Sequence, residues 1–180
     1  MRYRCSACGF EYDLAKAPFS RVRIYPLADS FGFSLRNEFA VDVRIRPDEL
    51  TWSILEYGCH VRDVLLARRE QVLLARQEEC PTVIPIRWDE RVTQDNYADQ
   101  DPRDVARQLL DAAHLFADAM TRIPPEDWDR TLAYEFPPTD VQRSLRWLAI
   151  DTVHELHHHD CDVRWRGPRI GQTEAAVPHG

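Results

Sequence analysis

Residues 145–160 read LRWLAIDTVHELHHHD, a run without glycine or proline that is apolar on two sides of a helix. At about 100° per residue, Leu145, Leu148, Ala149, Thr152 and Leu156 line one side. Trp147, Ile150, His154, His158 and Cys161 share the other. Such a helix packs one face into a core and uses the other to roof a pocket that contains imidazoles. Thr139-x-x-Gln142 has the form of a capping box and Gly167-Pro168 a stop, so the predicted helix spans 139–165.

Working outward, Asp101-Pro102 opens a second helix with an N-cap oxygen followed by proline. Val105, Leu109, Ala112, Phe116 and Met120 give it one apolar stripe, over 101–123, before Pro124-Pro125. A third helix is predicted over 52–79, with Leu55, Cys59, Leu66 and Leu73 on one face and Tyr57, His60 and Val64 on another. Ile24, Leu27, Phe31 and Leu35 have helical spacing, although Pro26 and Gly32 weaken that pattern. Residues 80–100, with Pro81 and Pro85, and the stretch holding Trp128 and Pro137-Pro138 read as loops. The sum is an all-α, up-down four-helix bundle over 18–166, after a CxxC knuckle in 1–17 and before a polar tail, 167–180. Sheet is expected only as a hairpin in the knuckle.

Composition narrows the function. With 30 acidic against 23 basic residues and a net charge of −7, the 180-residue chain lacks the basic surface that phosphate backbones require. No apolar run reaches membrane-spanning length, and MRYRCSACGF lacks a signal-peptide core. A cytoplasmic protein with no nucleic-acid or membrane partner is expected. All the basic residues except Lys16 are arginine, which fits a high-GC bacterial genome. The cysteines number five, an odd count that suits reduced thiols better than a disulfide framework.

Four of the seven histidines crowd into positions 154–159. His154 and His158, one turn apart, have the spacing that grips one metal ion. His60, in a helix interior among Tyr57, Val64 and Ala67, is the expected third ligand, since facing bundle helices deliver side chains to one point. Three imidazoles would leave a position open on one divalent metal: zinc first, with nickel, iron or copper also suited to the donors. Asp63 and Asp151 are candidates to accept from imidazole N–H groups, or ordinary solvent-facing acids. Tyr57, Trp147 and Cys161 are pocket candidates, and His157 and His159 are expected at the surface. His154, Glu155 and His158 also spell His-Glu-x-x-His, the zinc-peptidase pattern. That reading needs a third downstream ligand, for which Glu174 is the sole glutamate, and an edge strand to hold peptide.

Trp52-Ser53-x-Leu55-Glu56-Tyr57-x-x-His60-x-Arg62-Asp63-Val64, then Trp128-Asp129-Arg130, then His154-Glu155-x-His157-His158 together resemble the DinB-like superfamily. That group includes the mycothiol-dependent maleylpyruvate isomerases and bacillithiol S-transferases. The likeness runs from about Pro47 to Val163. It implies a four-helix bundle in which one histidine of the second helix and two positions four apart in the fourth hold a divalent metal. Carried over, these are His60, His154 and His158. It further implies a thiol S-transferase or thiol-dependent isomerase, monomeric or homodimeric, joining a low-molecular-weight thiol such as mycothiol to a small electrophile. A GC-rich actinobacterial host would supply mycothiol. A non-catalytic metal-binding or sensory bundle is the alternative.

Tyr3-x-Cys5-x-x-Cys8-Gly9-Phe10-x-Tyr12-Asp13 resembles the first knuckle of a rubredoxin or zinc ribbon. Three readings stay open: a second zinc at Cys5 and Cys8 completed by Cys80, a histidine or another chain; a redox dithiol; or a metal-free hairpin.

Overall fold

The computed structural model describes residues 3–37, 42–135 and 141–164. Four long helices build it: α1 (Arg21–Arg36), α2 (Ile54–Gln77), α4 (Pro102–Thr121) and α5 (Leu145–Arg164), with a short α3 (Trp88–Gln94) between α2 and α4. α4 packs broadly on both α1 and α2, and α5 also lies against both, so the order round the bundle is α1, α4, α2, α5. The expected four-helix bundle is present. No helix among the described residues is long and apolar enough to cross a membrane.

Local chemistry fixes each element. Ser53 caps α2 through a full capping box with Glu56, and Arg46 grips the Glu56 carboxylate. Asp101 accepts from the backbone N–H groups of Arg103 and Asp104 at the start of α4, with Pro102 in the first turn. In α1, Pro26 forgoes one backbone hydrogen bond, but Ile24, Ala28, Phe31 and Leu35 are fully buried on one stripe, and packing outweighs the loss. Gly58 lets α1 approach α2: a Cβ there would lie 2.8 Å from Leu35 Cδ1. Arg130 donates to the carbonyls of Ala75 and Glu78 at the C-terminal end of α2, where backbone acceptors otherwise lack partners.

Three expectations need correction, the first being that sheet is confined to the knuckle: a three-stranded sheet joins residues 82–83, 131–134 and 141–144. Residues 141–144 are not helical: Val141–Ser144 form β3, antiparallel to β2 (Thr131–Tyr134), which pairs in parallel with β1 (Thr82–Val83). Pairing Val141 with Tyr134 and Gln142 with Ala133 uses the backbone groups that a helix would have claimed. The helix starts later, where Ser144 Oγ accepts from Trp147 N–H at 3.2 Å and Leu145 N–H bonds Arg130 C=O. Thr139, Pro137, Pro138, Gly167, Pro168 and the 167–180 tail lie outside the described residues. The 80–100 stretch is likewise more than a loop, holding β1, α3 and a 3₁₀ turn at Tyr97–Asp99. The Tyr97 ring is fully buried, and its hydroxyl donates to Asp63 at 2.6 Å.

At the amino terminus, Cys5 N–H bonds Phe10 C=O, Gly9 N–H bonds Cys5 C=O, and Tyr12 N–H bonds Tyr3 C=O. Gly9, at φ 72°, takes the left-handed turn that closes this hairpin. The knuckle then docks on α5, with Phe10 buried against the rings of His154 and His157.

Candidate metal centres

α5 carries two i,i+4 pairs in adjacent registers, 154/158 and 155/159, about 100° apart round the helix. The bundle turns the second pair toward α2 and the first toward the amino-terminal knuckle. Two clusters result: His60, Glu155 and His159 in one, and Cys5, Cys8, His154 and His158 in the other. Within each, ligand-capable atoms lie within 4.8 Å of one another.

In the first cluster, Nε2 of His60 stands 3.4 Å and Nε2 of His159 3.1 Å from the same Glu155 oxygen, Oε1. Nδ1 of His159 faces Asp162 Oδ2 at 3.0 Å, which orients the ring. Trp52 and Trp88, both half-buried, flank the His60 ring with centroids 5.2 and 5.0 Å away, and Tyr57 lies 5.0 Å from His159. Burial opposes charge on Glu155, but hydrogen bonds from His159 and His60 outweigh it and hold the carboxyl well below its usual range. Burial also opposes charge on His159, yet Asp162 and Glu155 push its pKa up to about 9.

In the second cluster, Cys5 Sγ is 3.8 Å from Nδ1 of His158. Tyr12 Oη donates to Asp151 Oδ1 at 2.8 Å and lies 2.8 Å from Nδ1 of His154. Asp151 is in turn paired with the buried guanidinium of Arg68 at 2.8 Å. Burial pushes His154 down to about 4, and burial raises the Cys8 thiol to about 12.

These positions correct the expected ligand set. His60 does not cluster with His154 and His158; the helix phase gives it Glu155 and His159. His159, expected at the surface, is buried at 9% exposure. Asp63 does not support His60 but joins a network with Arg62 at 2.7 Å, Tyr97 and Arg91. Asp151 accepts from the Tyr12 hydroxyl, whose oxygen lies 2.8 Å from His154 Nδ1. Tyr57 borders the first cluster. Trp147 sits instead against Tyr134 and the guanidinium groups of Arg68 and Arg143. Cys161 contacts His157 at 3.8 Å and belongs to neither cluster. Glu155, which the peptidase pattern casts as a base, stands among the candidate ligands. Cys80 is not in the thiol cluster; His154 and His158 stand with Cys5 and Cys8.

A four-helix bundle with one histidine-rich cluster between α2 and α5 and another between α5 and the amino-terminal knuckle is thus the class that fold and site define. The DinB superfamily model matches residues 41–161, two thirds of the chain, and the chain belongs to that superfamily. A solved structure, YfiT from Bacillus subtilis, is similar with a TM-score of 0.70 at 14% identity, covering 83% of this chain and 85% of that one. It is described as a probable metal-dependent hydrolase with an unusual four-helix bundle topology. No curated protein matches the chain.

Proposed function

We propose that the protein is a metal-dependent enzyme that transfers a low-molecular-weight thiol, such as mycothiol, to a small electrophile, with His60, Glu155 and His159 holding the divalent metal. The observation that carries this reading is the convergence of two Nε2 atoms, from α2 and α5, on one Glu155 oxygen. Two imidazoles and a carboxylate suit zinc, nickel or iron, and three protein ligands leave a position for a reactant. A divalent cation held there supplies Lewis acidity that favours the deprotonated form of an approaching thiol or water.

The chain's own groups do the rest. The Glu155 carboxylate contributes the one negative charge among these three ligands. Asp162 accepts from Nδ1–H of His159 and so turns Nε2 toward the site. The half-buried indoles of Trp52 and Trp88 offer planar apolar surfaces to the carbon body of an electrophile. Transfer forms a carbon–sulfur bond, and the thiol's proton leaves with the displaced group. In an isomerisation the thiol adds and departs unchanged.

The same arrangement also fits water activation, and the likeness to YfiT favours hydrolysis as the second reading. Protein loaded with zinc or nickel, given a thiol and a haloarene electrophile, should consume thiol and form thioether one for one. His159→Ala should abolish this. Ester cleavage at equal rate with and without thiol would install the hydrolase reading instead. Metal bound with no turnover of either kind would leave a non-catalytic bundle.

A further inference from the structure

We infer that Cys5, Cys8, His154 and His158 form a closed, tetrahedral Cys2His2 zinc site that clamps the amino-terminal knuckle to α5. The four donor atoms lie within 4.8 Å of one another. Zinc–sulfur bonds near 2.3 Å and zinc–nitrogen bonds near 2.0 Å put tetrahedral ligands roughly 3.3–3.8 Å apart. The 3.8 Å between Cys5 Sγ and His158 Nδ1 is close to the roughly 3.5 Å expected of a sulfur–nitrogen pair on one zinc.

His154 supplies the second, independent observation. The residue is 6% exposed, and its Nε2 has no hydrogen-bond partner among the described residues. The single phenolic proton of Tyr12 goes to Asp151, so Tyr12 Oη must accept from His154 Nδ1–H. That assigns the tautomer and leaves Nε2 as a buried lone pair with no donor among the described residues, a costly state unless a ligand fills it. The buried pair of Asp151 with Arg68 holds the chain of bonds in place.

Two thiols and two imidazoles select zinc among common divalent ions, and four protein ligands leave no position for a reactant. The role is therefore positional. A short hairpin is marginal alone, and zinc would fix it against α5. Because residues 154 and 158 adjoin 155 and 159, the same ion would set the phase of α5 and hence the direction of Glu155 and His159. Asp162 Oδ2 links the two clusters, 3.0 Å from His159 Nδ1 and 3.7 Å from His158 Nε2.

The test is spectroscopic and needs no turnover. Reduced full-length protein, purified without a polyhistidine tag and stripped of metal, is titrated with cobalt(II). Wild type should develop thiolate-to-cobalt charge transfer and the intense visible bands of tetrahedral cobalt, at one equivalent per chain. The thiolate charge transfer should persist in His60→Ala, vanish in the Cys5→Ser/Cys8→Ser double variant, and lose intensity in His154→Ala. Should the double variant not fold, alkylation of native wild type decides the matter. Zinc should protect Cys5 and Cys8 but not Cys161, and a chelator should restore labelling. Cobalt spectra without thiolate bands, unchanged Cys8 labelling on zinc addition, or a Cys5–Cys8 disulfide in freshly isolated protein would each overturn the site.

Discussion

Asp162 is the residue on which both clusters lean, because one of its oxygens faces an imidazole from each. Carboxylates that orient metal-binding histidines commonly contribute 10–100-fold to affinity. Asp162→Asn should therefore weaken metal retention at His60, Glu155 and His159 by about 10–100-fold, by the same principle. The effect at the thiol cluster should be smaller, since His158 stands at 3.7 Å and His159 at 3.0 Å. Competition against a chromophoric chelator measures both, and equal loss at the two clusters would contradict the distance argument. His157→Ala, which removes a ring packed on Phe10 and Cys161, should leave metal content unchanged. At this scale the sequence made the ingredients legible but not their assortment. Spacing of four on the last helix and a partner from the second were both readable. Three consecutive histidines nevertheless make 154/158 and 155/159 equally good pairs, and a search weighted toward imidazole overlooks a carboxylate. The signal that could have distinguished them is Asp162, three residues after His159 and placed to support its ring.

The helices were readable because their ends carry strong local chemistry. Ser53 and Glu56 open α2, Asp101 and Pro102 open α4, and each pattern stands alone in a few residues. Ser53→Ala should cost about 1 kcal/mol in urea denaturation, the usual worth of an N-cap. Glu56→Gln should cost about 1–2 kcal/mol, because its charged hydrogen bonds to Arg46 and to Ser53 N–H become weaker neutral ones. Burial raises the pKa of Glu56, but Arg46 and Ser53 more than offset this and hold it below the ordinary value. A folded pKa below the unfolded one means that the stabilisation is complete at neutral pH. It is lost as pH falls from the unfolded value, near 4.3, through the folded one. Wild type and Glu56→Gln should therefore differ at pH 7 and converge in acid, and a constant difference across pH would exclude the ion pair as the cause. The sheet was illegible for the opposite reason. Strands of two to four residues are too short for their alternation to be read from sequence, even in β2, where buried and half-buried positions alternate, and β1 is defined only by pairing with β2, far along the chain.

Over the whole molecule, the least predictable feature is the docking of the first residues on the last helix, a contact between positions 153 apart in sequence. CxxC alone leaves half a site, and only the fold brings His154 and His158 to it. The two clusters then differ in what they offer an ion. His60, Glu155 and His159 would give three ligands beside half-buried tryptophans and leave a position open. The thiol cluster would give four, including two sulfurs, and would enclose an ion. Stepwise chelation of fully loaded protein should therefore release metal in two stages. The first, from the open centre, should end turnover while barely moving the thermal midpoint. The second should expose two titratable thiols and lower the midpoint. An ion present at 100 times its Kd contributes about 2.7 kcal/mol to folding, which for a chain of this size is about 5–10 °C. Release in the reverse order, with thiols appearing before activity falls, would mean that the knuckle is the looser of the two and does not brace α5.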